Sequence, residues 1–131
     1  MRILIVDDDL DSAESLAALL KATGHHVRVE VGARAGADAV ATWRPDVALL
    51  DIGLPQGGAY LVAHRARAEP DTRPTRLVAL TDWGQQQDRR RSAEAGFDHH
   101  LVKPVDPLHL RVLLNSVASG SHTTEGSAPK G

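Results

Sequence analysis

A doubly wound α/β fold on a five-stranded parallel sheet is the architecture this sequence predicts, and three observations carry it. Short apolar runs alternate five times with helical patterns, the rhythm of chained βα units. The third run, Val47-Ala48-Leu49-Leu50, is apolar without interruption, as a strand covered on both faces must be. The side chains able to do chemistry all stand just past such runs. Asp7, Asp8 and Asp9 follow Ile3-Leu4-Ile5-Val6, Asp51 follows Leu50, Thr81 follows Leu77-Val78-Ala79-Leu80, and Lys103 follows Leu101-Val102. Ligands of open α/β sheets bind beyond the carboxyl ends of the strands, so these groups are expected on one edge.

Residues 2–6 read as the first strand. Asp11-Ser12-Ala13-Glu14 has the form of a capping box. Ala13, Leu16, Ala17 and Leu20 then share one helical face, with Gly24 closing the helix. Over residues 26–31, Val27, Val29 and Val31 alternate with polar residues, the period of a half-exposed edge strand. Ala33, Gly36, Ala37 and Val40 carry a helix over 32–43 that its glycines weaken. Arg44-Pro45-Asp46 turns the chain into the central strand. Gln56-Gly57-Gly58 reads as a flexible loop before a helix with Ala59, Val62, Ala63 and Ala66 on one side. Two prolines mark 69–74 as a loop, and 76–80 is the next buried strand. Asp82-Trp83-Gly84 is expected to be a loop, 85–95 a helix closed by Gly96, and 99–102 the last strand. Asp106 and Pro107 open the last helix as N-cap and first residue, with Leu110, Leu113, Leu114 and Val117 on one face. Residues 1–118 thus form one domain, and 119–131 a disordered tail or linker with almost nothing apolar. The strand order 2-1-3-4-5 is one of two common in this class and would set Asp8 beside Asp51.

Bulk properties exclude several function classes. The 131 residues suffice for one domain with a proper core. A net charge of −2 and 3% aromatic residues give no electrostatic pull toward nucleic acid and no base-stacking surface. There is no cysteine, hence no disulfide or thiol chemistry. No apolar run approaches the roughly 20 residues of a membrane span, and the first strand begins where a signal peptide would lie. A cytoplasmic domain is the expectation.

Carboxylates gathered in one pocket repel one another unless a cation intervenes, and an oxygen-only donor set favours a hard ion such as Mg²⁺. A carboxylate beside Mg²⁺ can attack phosphorus, and an ammonium and a hydroxyl can balance charge on the transferring phosphoryl group. Asp7, Asp8, Asp51, Thr81 and Lys103 supply that set.

The ordered motifs IVDDD, LLDIGLP, VALT and LVKPVD resemble the receiver domain of bacterial two-component response regulators over residues 2–118. The stretches WGQ and EAGFDHHLVKPVD look most like receivers of hybrid sensor histidine kinases. The resemblance implies a flavodoxin-like sheet and a phosphorelay switch, with Asp51 accepting a phosphoryl group from a histidine kinase or phosphotransfer protein. It further implies Mg²⁺ held by Asp8, Asp51 and the Gly53 carbonyl, and by Asp7 through water. Lys103 would pair with the phosphoryl group and Thr81 would move to bond it, while Lys103-Pro104 would be cis. Such a domain catalyses its own modification and dephosphorylation and is not an enzyme with a separate substrate. Homodimers through the last strand–helix units are common in the family.

The sequence departs from the family pattern at several positions. His100 stands at the switch position, three before Lys103, where an aromatic residue is usual, and its protonation could couple switching to pH. Asp82 adds a carboxylate at the rim, Trp83 could shield a phosphate from water, and Ala59 replaces a glycine, with Gly57-Gly58 shifted earlier. A phosphorylation-independent interaction module is the alternative reading. A Mg²⁺-dependent aspartyl phosphohydrolase ranks third, because Gly53 stands where its general acid would be. Asp9 reads as a helix-start acid, and Arg89-Arg90-Arg91 as a solvated face. The pairs His25-His26 and His99-His100 point to opposite faces rather than to a shared metal.

Overall fold

The computed structural model describes residues 1–82 and 89–119. Five parallel strands, β1 (Arg2–Val6), β2 (His26–Glu30), β3 (Val47–Asp51), β4 (Arg76–Thr81) and β5 (His99–Val102), stand in the order β2-β1-β3-β4-β5. The helices are α1 (Leu10–Ala22), α2 (Ala33–Trp43), α3 (Gly58–Ala68), α4 (Arg89–Ala95) and α5 (Pro107–Ala118). Successive strand residues point to opposite faces, which splits the core in two. Leu4, Val6, Ala48, Leu50, Leu77 and Ala79 pack with Ala37, Val40, Val62 and Ala63 of α2 and α3. Ile3, Ile5, Val47, Leu49, Val78 and Leu80 meet Ala13, Ala17 and Leu20 of α1 and Leu110 and Leu114 of α5. Every residue of β3 is buried, whereas β2 lies at the sheet edge as its alternation implied.

Three local expectations change. The helix-opening cap is not Asp11 but Asp9, whose Oδ1 accepts a hydrogen bond from the Ser12 amide at 3.3 Å. Asp9 has extended backbone, as an N-cap requires, and α1 therefore begins at Leu10. Gln56-Gly57-Gly58 is not a loose loop. Residues Pro55–Gly57 form a tight 3-10 turn in which Gln56 (φ 58°) and Gly57 (φ 68°) take left-handed backbone, and Gly58 already opens α3. Arg91 is not merely solvated, since its guanidinium carbon lies 4.4 Å from the Tyr60 ring centroid. The expected loop Asp82-Trp83-Gly84 after its first residue, the start of the helix at 85, and the tail beyond 119 lie outside the described residues.

Two glycines set how closely the layers approach. A Cβ on Gly36 would fall 2.7 Å from a Val6 methyl, and one on Gly58 would fall 2.7 Å from the Ala33 Cβ. Both contacts are too short for any side chain, so α2 rests directly on β1 and on α3.

At the opposite end of the sheet Arg67 ties two loops together. Its guanidinium donates to the carbonyls of Gly96 (2.7 Å), Arg73 (2.6 Å) and Thr75 (2.7 Å) and to Asp98 Oδ2 (2.7 Å). Asp98 Oδ2 also accepts the Leu77 amide at 2.9 Å, which locks the start of β4. Arg67→Ala should lower unfolding free energy by about 2–4 kcal/mol, because a half-buried charged donor serving several acceptors is lost. Urea denaturation would measure it. Arg67→Lys should recover only a minor part, since an ammonium cannot reproduce the planar fork.

Candidate functional site

The site forms where β1, β3, β4 and β5 end. Asp7 directly follows β1 and is 1% exposed. Its Oδ1 accepts the Asp9 amide at 3.0 Å and its Oδ2 accepts the Lys103 ammonium at 2.8 Å, so each oxygen of this buried carboxylate has a partner. Asp8 is exposed at the mouth. Asp51 is the last residue of β3, and its Oδ1 accepts the Gly53 amide at 2.8 Å while Lys103 Nζ stands 3.6 Å from its Oδ2. Pairing of β1 with β3 brings the acids together, and oxygens of Asp7, Asp8 and Asp51 all lie within 4.8 Å of one another.

Charge in this pocket is not balanced. Burial, above all, pushes the Asp51 carboxyl above its ordinary value; the Gly53 amide opposes this, contact with Asp7 adds to it, and the Lys103 charge opposes it. Burial alone would pull Lys103 down, but its hydrogen bond to Asp7 and the charges of Asp51 and Asp7 outweigh that and hold the ammonium above its usual value. Three carboxylates against one ammonium form a donor set suited to a small, hard divalent cation.

Thr81 ends β4, is 1% exposed, and its hydroxyl has no hydrogen-bond partner among the described residues. Its carbonyl accepts the Lys103 amide at 2.6 Å, which fixes the lysine beside it. His100 is half-buried on β5 opposite Ala79, on the side of the sheet covered by α2 and α3. The Lys103–Pro104 peptide is cis. Asp82 is exposed, and Trp83 lies outside the described residues.

A cavity of about 380 Å³ opens beside Asp7 and Lys103, walled by Ser12, Ser15 and Leu16 of α1 and by Pro104 and Val105. From the sequence Ser12 and Leu16 read only as capping-box and core-face residues, and Ser15 does not stand out. Their spacing held the signal, since residues 12, 15, 16 and 19 recur on one helical face that starts at the acid cluster.

The sequence matches the family described as response regulator receiver domain over residues 3–115. The chain belongs to this family. It is 33% identical over 122 residues to protein PilH of Pseudomonas aeruginosa, covering 91% of this chain and 98% of that one. Other curated relatives are longer, and the chain spans 44% of one and 56% of another. Among solved structures, the signal receiver domain of a signal transduction histidine kinase from Syntrophus aciditrophicus has a TM-score of 0.81 at 28% identity, covering 99% of this chain and 98% of that one. The receiver domain of a sensor histidine kinase of Pseudomonas aeruginosa, with a magnesium ion coordinated in its active site cleft, has a TM-score of 0.79 at 27% identity over 89% and 97% of the two chains. Receiver membership accounts for the sheet order and for the placement of the acids, Thr81 and Lys103 at one edge.

The raised Asp51 carboxyl has a thermodynamic sign. The folded chain holds this proton more tightly than the unfolded chain does, so Asp51 lowers stability as pH rises above the ordinary carboxylate range. With divalent cations chelated, Asp51→Asn should melt above wild type at neutral pH, and the gap should close as pH falls toward about 4. Calorimetry across that range would check it, and a gap independent of pH would contradict the assignment.

Proposed function

We propose that this receiver is a phosphoacceptor switch in a two-component phosphorelay, with Asp51 as the acceptor. The observation that carries the reading is Lys103, whose ammonium sits 2.8 Å from Asp7 and 3.6 Å from Asp51. It anchors the acid pocket and stands where phosphoryl oxygens on Asp51 would need a cation. In the reaction an Asp51 carboxylate oxygen attacks phosphorus, the N–P bond of a phosphohistidine on a kinase or phosphotransfer protein breaks, and the imidazole leaves. Lys103 moves from Asp7 toward the new phosphoryl oxygens, and the Thr81 hydroxyl donates to one of them. Water later hydrolyses the acyl phosphate, which returns the carboxylate and inorganic phosphate. No separate substrate is turned over.

Asp8 and Asp51 would hold Mg²⁺ directly, with the Gly53 carbonyl, and Asp7 through water. When bound, the ion supplies charge neutralisation for the phosphoryl oxygens. The close set of carboxylate oxygens and the raised Asp51 carboxyl support its fit. His100 would act as the switch residue with Thr81. Among the described residues no helix is long and apolar enough to cross a membrane, and we place the relay in the cytoplasm. The outward apolar residue Val112 of α5 suits a homodimer contact through the last strand–helix units.

Intact-mass analysis with Mg²⁺ and acetyl phosphate should show one phosphoryl adduct that is absent in Asp51→Ala. Lys103→Met and Thr81→Ala should each slow its formation on the order of 10²-fold. An adduct that persists in Asp51→Ala, or none from either acetyl phosphate or a histidine-phosphate donor, would sink the proposal. Separately, adding Mg²⁺ should raise the melting temperature of wild type, because a ligand that binds only the folded state stabilises it. In Asp8→Ala that gain should be largely lost.

A further inference from the structure

We propose that the cleft between α1 and α5 binds an amphipathic carboxylate, an acyl or similarly apolar chain ending in one negative charge. The cleft measures about 530 Å³, within the range of small-molecule sites. Its walls are Leu19 and Leu20 of α1 and Leu108, Leu110 and Leu114 of α5. Leu20, Leu110 and Leu114 are buried core residues that close the cleft from below, while Leu108 (62% exposed) and Leu19 (38% exposed) flank the entrance. Leu108 and Leu19 thus leave apolar surface open at the mouth of a concave site.

Polar groups at the rim set the charge of the occupant. Among the described residues, Arg111 and His25 are its titratable groups and no carboxylate lines the cleft. The Thr23 hydroxyl is taken by the Leu20 carbonyl at 2.9 Å, and His25 Nδ1 lies 3.3 Å from the Met1 amino group. Arg111 makes no ion pair among the described residues. Its planar guanidinium matches a carboxylate through two parallel hydrogen bonds. An apolar floor with one uncommitted guanidinium at its edge therefore selects a chain with a single terminal anion. A cationic or multiply charged ligand would lack partners there.

Leu19 also lines the cavity beside Asp7 and Lys103, so the occupant reaches the helix wall of the phosphoacceptor pocket without entering it.

The test titrates the full chain with octanoate, decanoate and dodecanoate, with dodecanol as the uncharged control, by calorimetry below their aggregation thresholds. One-to-one binding that tightens about fourfold per added methylene is expected. Dodecanoate should bind at least tenfold tighter than dodecanol in wild type and equally in Arg111→Gln, an exposed change that leaves the core intact. Leu108→Glu, also at an exposed position, should weaken every chain length. Light scattering run alongside identifies a different occupant. If the chain is a dimer that Leu108→Glu dissociates, and dodecanoate binds neither form, the cleft belongs to a second copy and the proposal fails. It also fails if dodecanoate and dodecanol bind alike, or if Arg111→Gln leaves the dodecanoate affinity unchanged.

Discussion

An excess of negative charge at the end of an otherwise apolar sheet is the constraint on which the rest of this structure depends. Asp7 is almost wholly buried, and a buried carboxylate is tolerable only when its oxygens are bonded and its charge is met. The amide of Asp9 meets one oxygen locally, but the cation comes from Lys103, 96 residues further along the chain. Bringing that lysine to Asp7 requires β5 to lie on the same side as β4, with its end level with the ends of β1 and β3. Sheet order, register and the Thr81 carbonyl that receives the Lys103 amide all serve this one contact. Lys103 lies closer to Asp7 than to Asp51, so in this conformation it is a structural counterion first.

The helical layer on the other side of the sheet explains how the acids are held so near one another. α2 can press against β1 because Gly36 has no Cβ to strike Val6, and Val6 is the residue before Asp7. α3 can press against α2 because Gly58 likewise spares Ala33. The left-handed turn at Gln56 and Gly57 then brings the chain from the end of β3 straight into α3. Glycines that seemed displaced in the sequence thus have assigned work: Gly57 supplies a backbone turn and Gly58 a close approach.

The same contrast shows which parts of the molecule were legible beforehand. Strand ends were, because a buried strand must be apolar and stops being so where a polar residue reaches the edge, as at Asp51 and Thr81. The edge position of β2 was legible from its alternating valines. Choosing Asp9 over Asp11 as the cap was not, since both are good N-cap residues and only the extended backbone at residue 9 decides. The turn at Gln56 was hidden because left-handed backbone is unusual outside glycine and asparagine. The preference of Lys103 for Asp7 was hidden too, for it rests on the difference between 2.8 and 3.6 Å, which no motif encodes.

Thr81 carries the argument one step further. Among the described residues its buried hydroxyl has no partner, and leaving it so costs about 1–3 kcal/mol, a large share of the roughly 5–15 kcal/mol by which small domains are stable. A valine of nearly the same shape would avoid that cost, so packing gives no reason for threonine here. The hydroxyl sits at the end of β4, one position beyond the residue paired with Asp51, and next to the backbone that positions Lys103. On the proposed phosphoacceptor reading, a donor at that point would gain its partner when an acceptor arrives on or beside Asp51. On that reading, the free energy released by satisfying it would favour a shift of the β4 end relative to β5. Such a bias, a few kcal/mol at most, is the size of effect that moves a two-state element from one population to the other.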